Sequence, residues 1–245
     1  DMANCNAKNA DDLENFLYDI IASLAKDFGL EAHGQSNSMR FELLIRDVVA
    51  AAGSPAVILL DEYDKPMLNT LKTPEAEACR NVLKGFYSSI KKCESLERFV
   101  FVTGVSKFSH VSIFSDLNNL TDISMDYDYA TMLGYTQEEL EKNFAGHIGQ
   151  ALKTLKTSRE ELLQNIKNWY DGYCFEENSA SVYNPVSIAN FFLKRYKFDN
   201  YWFDTGTPTF LMELIKKTQF DFENILSRPV SGMAFKAFEI DQIDP

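Results

Sequence analysis

Several features are scarce or absent in this sequence of 245 residues, and each absence excludes a class of protein. The 4 cysteines form no C-x-x-C pair and show no metal-ligand spacing, so we expect reduced thiols rather than a disulfide framework or a zinc site. No window approaches the roughly 18 apolar residues that span a bilayer, so no transmembrane segment is predicted. None of the 11 glycines precedes lysine, so these residues contain no G-x-x-x-x-G-K-[ST] phosphate-binding loop.

Positive charge is also scarce. Lys and Arg number 24 against 36 Asp and Glu, which gives a formal net charge of −12. Phosphate contacts need clustered cations, so a nucleic-acid-binding surface over most of the chain is excluded. His33, His110 and His147 lie in unrelated segments and suggest neither a metal site nor a histidine-based catalytic triad. With 45% hydrophobic and 24% charged residues the chain has the composition of a globular protein, and we expect it in the cytoplasm.

The first half of the chain alternates helical and strand patterns. Apolar residues at three-and-four spacing predict helices over 11–28 and 38–52, and a third helix is predicted over about 74–92. The runs at 56–60 and 98–105 are apolar on both faces, which is typical of strands buried in a parallel sheet. This alternation predicts an α/β fold.

Helix-start signals dominate after about residue 130. Thr136 to Glu139 and Ser158 to Glu161 have the pattern of capping boxes. Asn184-Pro185 and Thr207-Pro208 place a capping residue before proline, which is the pattern of a helix start. The sequence therefore predicts a second, helical region.

The first candidate for chemistry is the strand that ends in Asp61 and Glu62. An apolar strand followed by Asp-Glu is the Walker B pattern of P-loop ATPases, and it delivers carboxylates to the sheet edge where ligands bind in open α/β folds. Asp61 is predicted to hold magnesium, and Glu62 to orient or deprotonate the attacking water. The alternative is that both are acidic turn residues, which are common at strand ends.

The second apolar strand adds candidates at the same edge. Thr103 and Ser106 are predicted as polar sensors of a γ-phosphate, and Lys107 as a phosphate contact. The alternatives are hydroxyls that satisfy their own turn and a solvated lysine. Gly104, directly after the strand, indicates a tight turn or a close backbone approach.

The sequence resembles the AAA-ATPase-like family of uncharacterised bacterial proteins. The resemblance covers roughly residues 1 to 230, and the segments that carry it are LLDEYDKPML, LKGFYSSIKK, RFVFVTGVSKFSHVSIFSDLNNLTDIS, LGYTQEEL, WYDGYCF, VYNPVSI and YWFDTGTPTFL. It implies a P-loop ATPase core that uses ATP and magnesium, a helical lid, and in many members an attached C-terminal restriction-endonuclease-like nuclease.

The resemblance divides the chain into three expected parts. Residues 1–130 are expected to form the partial parallel-sheet core without its P-loop strand, residues 131–225 the lid, and residues 226–245 a linker toward a further domain. Because the chain starts at Asp1 and holds no P-loop, we expect a truncated ATPase module that is itself inactive and binds no nucleotide tightly.

Partners follow from the same expectation. ATP is the expected ligand of the full-length parent, and nucleic acid is expected only through a nuclease domain outside these residues. Strand edges left unpaired predict self-association. Two other functions stay open: a signalling or binding module whose nucleotide state alters partner contacts, and a degenerate protein-interaction domain without ATP turnover.

Overall fold

The computed structural model of this chain describes residues 1–70, 73–104, 117 and 119–202, which fall into two compact units that divide between Leu120 and Thr121. Each unit has its own hydrophobic core. Among the helices of these described ranges, none is both long enough and apolar enough to cross a membrane.

The first unit begins with two helices whose first turns are capped by side chains that were not singled out in the sequence. Helix α1 spans Ala10–Asp27 and helix α2 spans Asn37–Ala52. The side chains of Asn9 and Ser36 accept hydrogen bonds from backbone N–H groups in the first turns of α1 and α2. Helix α2 ends at Gly53, whose φ of 64° lies in the left-handed region that glycine adopts without steric cost. Both helices match the sequence prediction to within one residue.

Two strands of this unit pair within the described residues. Strand β1, Ala56–Leu60, pairs in parallel with strand β2, Glu97–Val102, so that Leu60 lies opposite Val102. The connection runs through helix α3, Lys65–Thr70, helix α4, Ala76–Lys92, and a short 3-10 turn. Helices joined to a parallel pair of strands agree with the predicted α/β class.

One face of this sheet packs on the helices. Ile58 and Leu60 are buried in a single cluster with apolar residues of α1, α2 and α4. The fully buried members contributed by α1 and α4 are Leu13, Leu17, Ile21, Leu83, Tyr87 and Ile90. The core of the first unit therefore lies between the helices and the inner face of β1.

The opposite face of the sheet departs from the prediction. Val57, Leu59 and Phe99 are 54%, 68% and 52% exposed, so the expectation that the strands are buried on both faces is wrong for the described structure. The sequence pattern does not separate the two faces, because apolar residues occupy both of them. Val57 lies opposite Phe99 in the register, so the exposed side chains are neighbours on one surface.

The segment between the strands also differs from the prediction. Helix α3 is short and was not predicted, because Lys65-Pro66 follows an acidic run that reads as a loop. Helix α4 begins at Ala76, two residues after Pro74, which was predicted as its first residue. A turn occupies those positions, in which the carbonyl of Thr73 accepts from the N–H of Ala76 at 3.2 Å and the Thr73 hydroxyl oxygen accepts from the N–H of Glu75 at 3.3 Å.

The second unit is mainly helical in its described part. It contains α5, Gln137–Asn143, α6, Ala145–Leu155, α7, Arg159–Tyr170, and α8, Pro185–Leu193. The short strands β3, Asp171–Tyr173, and β4, Val182–Tyr183, pair in antiparallel fashion between α7 and α8. The helical character predicted after residue 130 is thus present, while Thr207-Pro208 lies outside the described residues.

The predicted N-caps of this unit are observed, but of the two predicted capping boxes only the one at Thr136 is complete in the described residues. Thr136 and Glu139 form a reciprocal capping box at α5, and the Ser158 hydroxyl caps α7. Asn184 caps α8 by accepting from the N–H of Ser187 at 2.8 Å. Local sequence signals therefore place the starts of these three helices correctly.

Aromatic side chains fill the core of the second unit. Tyr170 and Tyr201 are 5% and 2% exposed and stack against each other, and Phe191 and Phe198 pack on Tyr170. These aromatic residues pack the core and are not displayed for stacking on nucleic-acid bases. A small cleft of about 130 Å³ beside Tyr173 and Trp202 has no charged residue in its lining.

Candidate functional site

The carboxyl ends of β1 and β2 bring two predicted site residues together. The strands are parallel, and Leu60 lies opposite Val102. The residues that follow the two strands, Asp61 and Thr103, therefore lie at the same edge of the sheet. The hydroxyl of Thr103 donates a hydrogen bond of 2.5 Å to Oδ1 of Asp61. The structure therefore places the predicted magnesium ligand and the predicted sensor in direct contact.

The backbone continues the strand pairing past the ends of the strands. The N–H of Thr103 donates to the carbonyl of Leu60 at 2.8 Å, and the N–H of Tyr63 donates to the carbonyl of Thr103 at 3.1 Å. Thr103 is thus held on both sides of its own Cα by the segment that carries Asp61. This arrangement limits its movement relative to that carboxylate.

Glu62 lies between these two backbone bonds in an unusual conformation. Its φ of 52° is in the left-handed region, which is sterically unfavourable for a residue with a long side chain. Its N–H donates to Oδ1 of Asp61 at 3.0 Å, so the tight turn and the Asp61 carboxylate support each other. Within the described residues, the Glu62 carboxylate has no hydrogen-bond or ion-pair partner. It remains available to a ligand or a water molecule.

A buried layer lies directly under this edge. Tyr63 is 8% exposed and Asp64 is 0% exposed. The hydroxyl of Tyr87, on helix α4, donates to the carbonyl of Tyr63 across 2.9 Å. The carbonyl of Asp64 accepts from the N–H groups of Met67 and Leu68 at 3.0 Å each, which starts helix α3. Helices α3 and α4 therefore fix the turn from below.

Gly104 makes the close approach that the sequence predicted. A Cβ at this position would lie 2.5 Å from Cε1 of Tyr63 and 2.7 Å from Oδ1 of Asp64. The φ of Gly104 lies outside the left-handed region, so glycine is required here for space and not for conformation. Gly104 thus packs against the buried layer under β1.

The amino-terminal segment also reaches this edge. The N–H of Met2 donates to the carbonyl of Asp61 at 3.0 Å, and Met2 and Cys5 are buried. No role was predicted for this segment, because it has no periodic pattern. Its hydrogen bond holds the main-chain carbonyl of Asp61.

The oxygen atoms of Asp61 and Thr103 at this edge suit a magnesium ion. Asp61 offers Oδ2, which has no hydrogen bond to a described residue, and the hydroxyl of Thr103 lies beside it. Oxygen ligands from one carboxylate, completed by water and by substrate phosphates, are what magnesium prefers. The described residues contain no group of three or more His, Cys, Asp or Glu that could hold a metal ion by themselves. The residues present fit a magnesium ion that arrives with a phosphate ligand.

Two predicted residues cannot be placed. Ser106 and Lys107 lie outside the described residues, so their roles as sensor and phosphate contact stay predictions. Of the residues now seen at the edge, Asp64 was not singled out from the sequence. The available signal was a third acidic residue three positions after Asp61.

The cysteines form no second site. All four are free, and Cys5, Cys79 and Cys93 are buried. Burial raises the pKa of each of these three thiols, which disfavours the reactive thiolate. Cys174 is exposed.

Comparison with known proteins finds a family model that matches the first part of the chain. Residues 1–114 match a protein-family model described as "Predicted AAA-ATPase". The matched range contains β1, β2 and the candidate residues Asp61, Glu62 and Thr103. The first part of the chain is therefore similar to an ATPase-like module.

Nearly all of this chain is similar to part of a longer protein whose name assigns no activity. An "Uncharacterized protein in vnfD 5'region" of Azotobacter chroococcum mcd 1 is 38% identical over 237 residues, which cover 96% of this chain and 43% of that protein. The chain thus spans less than half the length of this relative. No solved structure matches the chain.

Proposed function

We propose that the edge formed by Asp61, Glu62 and Thr103 is the magnesium and nucleotide site of an ATP-hydrolysing module. The observation that carries the proposal is the hydrogen bond from Thr103 to Asp61 at the carboxyl end of two parallel strands. Ligands bind at this edge in open α/β folds. The similarity of residues 1–114 to a predicted ATPase supports the choice of ligand.

Each residue has a distinct role in this proposal. Asp61 holds the cation through Oδ2, while its Oδ1 is occupied by the Thr103 hydroxyl and the Glu62 N–H. Magnesium, when bound, neutralises charge on the phosphate oxygens. Glu62 accepts a proton from the attacking water, because its carboxylate has no competing partner in the described structure.

Thr103 contributes in two ways. Its donated hydrogen bond holds the Asp61 carboxylate in one rotamer, which fixes where the cation is bound. Its hydroxyl oxygen keeps acceptor capacity for a water molecule at the γ-phosphate. Ser106 and Lys107, which follow in sequence, complete the proposal as a second polar sensor and a phosphate contact.

The phosphate cradle is expected from outside these residues. The 245 residues contain no glycine followed by lysine, and a P-loop backbone with its lysine supplies most of the binding energy for a triphosphate. We therefore propose that the 245-residue chain alone binds magnesium-ATP weakly or not at all. Calorimetric titration of the chain tests this, and a micromolar dissociation constant would contradict it.

The catalytic proposal is tested on the complete gene product. ATP binding and ATP hydrolysis are measured with and without magnesium for Asp61→Asn, Thr103→Val and Thr103→Ser. Glu75→Gln, which changes an exposed carboxylate outside the proposed site, is the control. Asp61→Asn is expected to abolish the magnesium dependence of binding. Thr103→Val is expected to lower hydrolysis by roughly tenfold or more, since it removes a hydrogen bond to a charged group, whereas Thr103→Ser retains it.

Three results would count against the proposal. These are no magnesium-dependent hydrolysis by the complete gene product, an unchanged rate in Asp61→Asn, or equal rates in Thr103→Val and Thr103→Ser. Nucleotide binding without turnover would favour a signalling module, and the absence of both would favour a protein-interaction domain. Control of an attached nuclease is a further proposal, which DNA cleavage by the complete gene product with and without ATP would test.

A further inference from the structure

We propose that Asp64 is a positioning residue that acts through Gly104 to hold Thr103 on Asp61. This inference rests on the proposed function, in which the Asp61–Thr103 pair binds the cation and senses phosphate. Asp64 is 0% exposed, so it does not itself reach a ligand at the edge. Its effect on chemistry must therefore pass through the residues it contacts.

The contact with Gly104 is tight. A Cβ on Gly104 would lie 2.7 Å from Oδ1 of Asp64, which means that the Gly104 backbone rests directly on this carboxylate. The ring of Tyr63 closes the other side, with Cδ1 at 2.6 Å from the same position. Gly104 therefore sits on a surface made by one charged and one aromatic side chain.

Gly104 is covalently adjacent to Thr103, so its placement controls the peptide that follows Thr103. That peptide carries the Thr103 carbonyl, which accepts from the N–H of Tyr63 at 3.1 Å. A shift of Gly104 away from Asp64 would turn this carbonyl and move the Thr103 side chain on the same residue. The 2.5 Å hydrogen bond to Asp61 would lengthen as a consequence.

Asp64 is itself firmly fixed. Its carbonyl accepts from two N–H groups at the start of α3, and Tyr87 holds the neighbouring carbonyl of Tyr63. A carboxylate that is fully buried is uncommon in globular proteins, and its position directly under the proposed ligand-binding edge points to a role in orientation. Asp64 follows Asp61 by three residues in the sequence.

The test combines kinetics with a measurement that does not require activity. In the complete gene product, Asp64→Asn keeps the shape of the side chain and removes its charge. We expect kcat for ATP hydrolysis to fall by about tenfold with KM nearly unchanged, because only the orientation of site residues is lost. In the Thr103→Val background the same substitution should have little further effect, since the residue through which Asp64 acts is already altered.

Amide hydrogen exchange provides the second readout. Asp64→Asn should speed exchange at the N–H of Tyr63, which is bonded to the Thr103 carbonyl, by about tenfold or more. Exchange at Leu140, in the second unit, should not change. Gly104→Ala disturbs the same contact from the other side, and it gives the same two tests if Asp64→Asn does not fold.

The outcomes separate the two proposals. Additive effects of Asp64→Asn and Thr103→Val on kcat, or unchanged exchange at Tyr63, would overturn the positioning role even if ATP is hydrolysed. If the parent hydrolyses no ATP, the proposed function fails, and faster exchange at Tyr63 would still establish that Asp64 holds Thr103 in place.

Discussion

The hydroxyl of Thr103 donates a hydrogen bond to Oδ1 of Asp61 across 2.5 Å, and the two residues are 42 positions apart in the sequence. Parallel pairing of β1 with β2 produces this contact, since it carries both strand ends to one edge. A helical connection lies between the two residues in the chain. The edge is thus a tertiary site, and its geometry depends on the register of two strands.

The left-handed conformation of Glu62 predicts a gain in stability at the expense of activity. Asparagine tolerates a φ of 52° better than glutamate does, so Glu62→Asn should raise the free energy of unfolding by about 0.5–1 kcal/mol. Lys156→Asn is the matched control, because Lys156 has a φ of 54° at the end of α6. Urea unfolding measures both variants, and a loss of stability in Glu62→Asn alone would show that its side chain makes a stabilising contact.

We expect any larger residue at position 104 to destabilise the fold for steric reasons. Gly104→Ala should lower the free energy of unfolding by about 1–3 kcal/mol, because the added methyl group overlaps Tyr63 and Asp64. Gly85→Ala is the control: Gly85 is exposed within α4, with no atom within 4 Å of an added Cβ, and the change should stabilise the helix by about 0.5–1 kcal/mol. Equal effects of the two substitutions would contradict the close approach.

Glu97 predicts a pH dependence of stability. Burial, and secondarily the charge of Glu94, raise the pKa of Glu97 to about 7, and its Oε1 has no hydrogen-bond partner in the described structure. The folded state therefore binds the proton more tightly than the unfolded state does. The contribution of Glu97 protonation to the free energy of unfolding is fully present below the unfolded pKa of 4.5. It is lost as the pH rises through about 7.

Glu97→Gln should remove this dependence. Relative to the parent, the variant is expected to gain stability between about pH 5 and about pH 8, because it no longer has to bury a charge at the higher pH. Urea midpoints at both pH values provide the measurement. Glu94→Gln should give a smaller change in the same direction, and parallel pH profiles for the parent and Glu97→Gln would refute the prediction.

The exposed face of the sheet predicts self-association. Val57, Leu59 and Phe99 form an apolar surface on a parallel pair of strands, a kind of sheet that is normally covered on both faces. Sedimentation of the 245-residue chain should show concentration-dependent association that Leu59→Lys weakens. Leu193→Lys is the control, since Leu193 is 81% exposed in the second unit, and it should leave association unchanged. The prediction would be contradicted if the unsubstituted 245-residue chain remained monomeric at all concentrations.

Local signals predicted several of the helices and the two paired strands, but tertiary contacts decided the site. The caps at Thr136, Ser158 and Asn184 are short-range patterns, and the sequence placed all three helix starts. The sequence placed Asp61 and Thr103 at the ends of two strands, and the parallel pairing of those strands brings them into contact. The sequence indicated a close approach at Gly104 but not that Asp64 is its partner, because that contact depends on how the turn after β1 folds. The sequence could not show which face of β1 is exposed either, since Val57 and Ile58 are both apolar but lie in opposite environments.

The central claim is that Glu62 activates water at a magnesium-nucleotide site, and one measurement tests it most directly. Single-turnover hydrolysis of magnesium-ATP and ATP binding are measured on the same samples of the complete gene product, parent and Glu62→Gln. The account predicts nearly unchanged binding and hydrolysis slowed by about 10²-fold or more, the usual scale for loss of a general base. Hydrolysis by Glu62→Gln at the parental rate would contradict it.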